Sequence, residues 1–187
     1  MNERETLKIN DKGHLEIGGA DCVELAKEFG TPLYLFDEAQ IRKMMRVYRD
    51  TLREYYGDNG MVLYASKAFS CKAIYRIADE ENIGVDVVSG GELYTALQAD
   101  FPAKHIYMHG NNKLDYEIGE ALDAGIGCIV ADAISELDKI LSKPVNLSTS
   151  FARAILKIQS TILVDALRDE NAKYTAPSSS LPVSLYF

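Results

Sequence analysis

The sequence predicts an α/β fold with parallel strands, of the kind that closes into a β/α barrel. Three observations carry this expectation. From residue 61, short apolar strand segments alternate with helical segments in four complete units, and strands that alternate with helices pair in parallel. The units recur after roughly 20–24 residues, with short loops between them. The composition allows a packed core: of 187 residues, 47% are hydrophobic and 26% charged, an ordinary globular balance. Four units make about half of a closed ring, so the expectation is a partial TIM-type barrel.

Before the repeat, LKINDKGHLEIGG reads as a hairpin: Leu7 and Ile9, a turn at Asp11-Lys12-Gly13, then Leu15 and Ile17. A short helix follows from Cys22 to Phe29, closed by Gly30. TPLYLFD reads as a strand that Pro32 begins, where a missing N–H does least harm. Asp37 is placed to cap the next helix, with Gln40 three residues on. That helix runs to Tyr56, with Ile41, Met44, Met45, Tyr48 and Leu52 at helical spacing.

The repeat then reads strand MVLYASK with a helix at 71–81, strand IGVDVVS with a helix at 91–99, strand HIYMHG with a helix at 114–124, and strand GCIVAD with a helix at 134–141. A fifth strand is expected to begin at Pro144-Val145-Asn146. Beyond residue 147 the rhythm stops. FARAILKIQSTILVDAL reads as a long amphipathic helix, and the chain closes on a Pro/Ser-rich tail. The organisation expected is therefore 1–35 as a hairpin and helix segment, 36–147 as the first half of the barrel, and 148–187 as a divergent tail.

Net charge is −8, which speaks against a nucleic-acid surface and an anionic membrane surface as partners. The N-terminal segment MNERETLKIN is polar, without the apolar stretch of a signal peptide, and no apolar run approaches a membrane span. The expected setting is the cytoplasm. Cys22, Cys71 and Cys128 are scattered without metal-ligand spacing, so no metal is expected and each reads as a small buried hydrophobe.

Chemistry concentrates where strands end. In VLYASK, Leu63, Ala65 and Lys67 share one strand parity, and Lys67 comes last. Active sites of β/α barrels form at that end of the strands. The flanking Ala65 and Ala68 leave space around Lys67. A lysine held away from water is favoured as the free amine, a nucleophile towards a carbonyl. The plain alternative is a lysine that ends a strand and reaches into solvent. The next strand places Asp86 between Val85 and Val87, and a buried carboxylate needs a partner. Ser89 and Glu92 have the spacing of a capping box; for Glu92 this competes with a role at the barrel mouth. The third strand ends in HGNNK at 109–113, read either as a polar site loop or as a turn with Asn112 capping a helix. Asp132 reads as a helix cap.

YASKA at 64–68, GVDVVSGGEL at 84–93 and HGNNK at 109–113, in this order, together resemble the diaminopimelate decarboxylases, a family of pyridoxal-phosphate enzymes on an alanine-racemase-like barrel. GTPLYLFDE at 30–38 and AGIGCIVAD at 124–132 agree. The resemblance covers residues 7–146. It implies decarboxylation of meso-diaminopimelate to L-lysine, with pyridoxal 5'-phosphate held by Lys67 as a Schiff base. It implies Asp86 and Glu92 near the cofactor, Asp86 closer to the imine, and His109 bordering the ring or the substrate. It also implies a small amino acid as ligand and a homodimer for full-length members. The family's later motifs, among them a Gly-rich phosphate loop, are not recognisable after residue 147. The expectation is a truncated or frameshifted chain, inactive by itself. The alternatives are a decarboxylase of the same group acting on ornithine, arginine or carboxynorspermidine, and a non-catalytic cofactor-binding fragment.

Overall fold

A computed structural model describes residues 6–142, 153–156 and 183–186. It comprises two compact units, Met1–Asp50 and Thr51–Phe187.

In the first unit the expected hairpin forms: β1 (Leu7–Ile9) pairs antiparallel with β2 (Leu15–Ile17). A short β3 (Ala20–Asp21) adds to β2 and leads into α1 (Cys22–Phe29). Asp21 ties these pieces together. Its Oδ1 accepts the N–H of Val23 at 2.9 Å and of Glu24 at 3.2 Å, capping the helix. Its Oδ2 takes Asn10 Nδ2 at 2.9 Å and lies 2.9 Å from His14 Nδ1. Burial alone would raise the Asp21 pKa, but these hydrogen bonds outweigh it and hold the carboxyl well below the usual range.

TPLYLFD is not a strand: residues 31–37 are irregular. Its alternation finds no ladder partner among the described residues, and Tyr34 and Phe36 are exposed. A strand is a property of a pair, and alternation without a neighbour does not make one. Asp37 does cap as expected, accepting the N–H of Gln40 at 3.1 Å. The helix it opens, α2 (Glu38–Tyr56), buries Met45 and Leu52.

The second unit is a parallel sheet. Its central strands follow chain order: β4 (Gly60–Ala65), β5 (Gly84–Val87), β6 (Ile106–Met108) and β7 (Cys128–Ala131). Between and after them lie α3 (Lys72–Glu80), α4 (Gly90–Leu97), α5 (Asp115–Asp123) and α6 (Ile134–Ser142). Right-handed crossovers along a sheet that grows in one direction put successive helices on one side. Accordingly α3 packs on α4, α4 on α5 and α5 on α6. Every residue of β5, β6 and β7 is buried. Leu63, Ile106 and Ile129 are fully buried, each worth about 1.5–3 kcal/mol of apolar transfer.

Two features of the tail depart from the sequence expectation. Residues 153–156, expected within a long helix, form β8 (Arg153–Leu156), which pairs in parallel with β7. Near the chain end, β9 (Val183–Tyr186) pairs in parallel with β4. The strands left as edges by four units are thus flanked on both sides, giving the order β8-β7-β6-β5-β4-β9. Four-residue strands carry too little periodicity to be told from helix, and pairing across more than a hundred residues leaves no local trace. The strand expected at Pro144-Val145-Asn146 lies outside the described residues.

Candidate active site

The C-terminal ends of β4, β5 and β6 bring the predicted residues to one rim. In the register Ala65 stands beside Asp86, and Asp86 beside Tyr107. Strand β4 stops at Ala65, and Ser66–Ala68 form a single turn of 3-10 helix. Lys67 therefore lies past the strand rather than on it. It is exposed, as in the plain alternative of a lysine that ends a strand and reaches into solvent, and not held away from water. The reason is local: the turn breaks the alternation, so Ser66 takes the inward place. Among the described residues the Lys67 amine has no hydrogen-bond or ion-pair partner.

What surrounds Lys67 is held firmly. Ser66 is fully buried. Its Oγ lies 2.8 Å from the Asp86 backbone oxygen and 2.5 Å from Glu92 Oε2. The hydroxyl has one proton, so it donates to one of these acceptors at a time. Downstream, Tyr64 Oη donates to the Phe69 carbonyl at 3.0 Å, and Ser70 Oγ lies 2.9 Å from Tyr75 Oη. Burial pushes the Tyr75 hydroxyl above its ordinary pKa, against hydrogen bonds with Ser66 and Ser70. It stays protonated at neutral pH and donates to the Glu92 backbone oxygen at 3.3 Å. The loop thus presents the exposed lysine side chain on a backbone tied down by these hydrogen bonds.

Asp86 is buried, as the apolar strand around it predicts. His109 Nδ1 lies 3.0 Å from its Oδ1, an ion pair when the ring carries its second proton, and Oδ1 accepts no hydrogen bond among the described residues. Gly110 follows in a left-handed conformation (φ 99°), and a Cβ there would meet the Val88 carbonyl oxygen at 2.8 Å. Only glycine lets the chain turn so close to β5.

Glu92 serves more than the capping box. Ser89 does cap α4, accepting the Glu92 N–H at 3.3 Å. The Glu92 carboxylate takes the Val88 N–H at 3.1 Å and reaches Ser66. In HGNNK the structure corrects the sequence reading. Leu114, not Asn112, is the cap residue of α5. Lys113, read as part of a polar loop, is 2% exposed. Its Nζ lies 3.0 Å from Glu136 Oε2 and also donates to the Gly110 carbonyl. Asp132, expected as a cap, donates its backbone N–H to Glu136 Oε2 at 3.0 Å. Burial would raise the Glu136 pKa, but the Asp132 N–H and Lys113 outweigh it and lower the value. Ser66, Lys113, Glu117 and Glu136 were not singled out from the sequence. The available signal was a glutamate at the third position of each of α4, α5 and α6.

The sequence model described as "Pyridoxal-dependent decarboxylase, pyridoxal binding domain" matches residues 38–178. The chain belongs to the pyridoxal-dependent decarboxylases. It is 55% identical over 135 residues to a diaminopimelate decarboxylase of Bacillus methanolicus, covering 72% of this chain and 31% of that relative. It is 49% identical over 132 residues to the diaminopimelate decarboxylase of Bacillus subtilis, covering 71% and 30%. Among solved structures, diaminopimelate decarboxylase from M. jannaschii in co-complex with L-lysine aligns with a TM-score of 0.67 and 40% identity, over 75% of this chain and 33% of that one. The fold is thus part of the α/β barrel of these decarboxylases, and pyridoxal phosphate is the cofactor of the family. The chain spans about a third of the length of the curated relatives it matches. Among the described residues no helix is long and apolar enough to cross a membrane.

The rim residues fit the cofactor class. An exposed primary amine stands free, and the neighbouring strand carries, one residue before its end, a buried carboxylate with one oxygen unsatisfied. Such an oxygen suits a cationic nitrogen placed beside it.

Proposed function

We propose that this chain is the cofactor-holding part of an enzyme that decarboxylates meso-diaminopimelate to L-lysine with pyridoxal phosphate. The observation that supports it most is that exposed Lys67 follows the end of β4 beside the strand carrying buried Asp86, whose Oδ1 accepts no hydrogen bond among the described residues. The named relatives at 55% and 49% identity support the substrate. So does the L-lysine in the name of the M. jannaschii structure.

When bound, pyridoxal phosphate supplies the electron sink that takes the bonding pair as carbon dioxide leaves. Lys67 Nζ attaches the cofactor through its nucleophilic amine. The same nitrogen, when not holding the cofactor, would hold or deliver a proton at the reacting carbon. Asp86 sets a negative charge beside the cationic centre. Glu92 keeps the turn under Lys67 in place through Ser66, and His109 borders the site next to Asp86. The same reading carries a homodimeric intact protein working in the cytoplasm on a small amino acid.

The test is to load the protein with pyridoxal phosphate, reduce it with borohydride and map the tagged peptide. The expected tag is on Lys67; a tag on another lysine refutes the assignment. For the substrate, carbon dioxide release by the intact protein is compared on meso-diaminopimelate, ornithine and arginine. Preference for either of the latter two overturns the substrate reading.

A further inference from the structure

Three glutamates repeat one arrangement around the rim. Each sits at the third residue of its helix: Glu92 in α4, Glu117 in α5 and Glu136 in α6. Each accepts a backbone N–H from its own strand–helix loop: Val88 at 3.1 Å, Leu114 at 2.9 Å and Asp132 at 3.0 Å. Each also reaches back to the preceding loop. Glu136 takes the N–H of Lys113 at 3.3 Å and its Nζ at 3.0 Å. Glu117 Oε1 takes the N–H of Gly90 at 2.7 Å. Glu92 Oε2 takes the hydroxyl of Ser66. The third residue of α3 is Ile74, so the series ends on the loop that carries Lys67.

We propose that Glu117 is a positioning residue for Lys67. The link runs through named groups. Glu117 fixes the N–H of Gly90, the first residue of α4. Two residues on, Glu92 fixes Ser66, and Ser66 precedes Lys67. Gly90 is buried, and a Cβ there would press on the Glu117 side chain at 3.2 Å. Losing this acceptor removes the hydrogen bond that ties the first turn of α4 to α5. The turn that carries Glu92 is then held less tightly, and with it the contact to Ser66. This inference rests on the reading of Lys67 as the attachment lysine for its functional meaning, but not for its test.

The test reads the lysine without cofactor. The full chain is treated with a dilute amine-acylating reagent, and the rate at Lys67 is followed by peptide mass spectrometry against pH. Glu117→Ala is expected to change that rate, or the pH at which it rises, by about threefold or more, the scale of effects transmitted through packed networks. Glu117→Gln, which keeps one oxygen for the Gly90 N–H but turns its NH2 towards the Leu114 N–H, is expected to move the rate less than Glu117→Ala does. Tyr116→Ala, an exposed change in the same helical turn, is expected to leave Lys67 unchanged. If Glu117→Ala does not fold, Glu117→Asp, with its oxygens withdrawn by one methylene, decides by the same threefold criterion. Lys67 reacting as in the parent, or Tyr116→Ala moving it equally, overturns the proposal. The borohydride tag in the unmutated protein reports separately on the attachment reading, so either can fail alone.

Discussion

Two lysines near the same rim are held in opposite ways. The sequence allows Lys67 two places, away from water at the inner end of an apolar strand or in solvent past its end. Lys113 looked like one polar residue among several in a loop. In the structure Lys67 is exposed, and Lys113 is 2% exposed between Glu136 and the Gly110 carbonyl. The difference teaches how a fold allots its amines. An amine buried against a carboxylate and a carbonyl is a structural pin. An amine left free, on a backbone fixed through Ser66, Tyr64 and Ser70, is available for chemistry.

The comparison can be broken most directly at the lysines themselves. Lys67→Ala should abolish borohydride-fixed attachment of pyridoxal phosphate, while melting shifts by less than the equivalent of about 0.5 kcal/mol, as for other exposed substitutions. Substantial unfolding on that change would show that Lys67 is a pin after all. Lys113→Ala should cost about 3–5 kcal/mol by leaving Glu136 charged, buried and without its cation, read as a lower denaturant midpoint. A loss under about 1 kcal/mol would place Lys113 with ordinary surface lysines.

A smaller effect sharpens the role of the backbone clamp. Ser66→Ala should lower stability by about 1–3 kcal/mol, because the half-buried Glu92 carboxylate and the buried Asp86 carbonyl lose a donor. Equilibrium unfolding in urea measures this, and an unchanged midpoint would remove Ser66 from the argument.

The smallest effects are in pH. Folding lowers the pKa of Glu136 from its ordinary 4.5. Its contribution to stability is thus fully present above that value and is lost as pH falls through the lower, folded pKa. Glu136→Gln should flatten the acid limb of the stability curve of the second unit below about pH 4.5. The first unit offers an independent check. Asp21, also lowered, stabilises above its ordinary 3.8, and Asp21→Asn should make the hairpin and helix less stable at neutral pH but less sensitive below about pH 4. Acid limbs that stay parallel to those of the parent would remove both carboxylates from the pH dependence.

Much of this molecule was legible because its signals are local. The hairpin around Asp11-Lys12-Gly13, the helix capped by Asp37 and the four strand–helix units each depend on residues within a few turns of chain. The spacing of Lys67, Asp86 and His109 at successive strand ends also marked the rim, since a regular repeat fixes where each strand stops. What only tertiary structure decided depends on residues distant in sequence. The turn at Ser66–Ala68 exchanges Ser66 and Lys67 between inside and outside because Asp86 and Glu92, twenty and twenty-six residues away, claim the serine hydroxyl. Burial of Lys113 awaits Glu136, and the pairing of β9 with β4 awaits the far end of the chain. Periodicity reports which face a side chain prefers, but a hydrogen bond across the fold determines which one it takes.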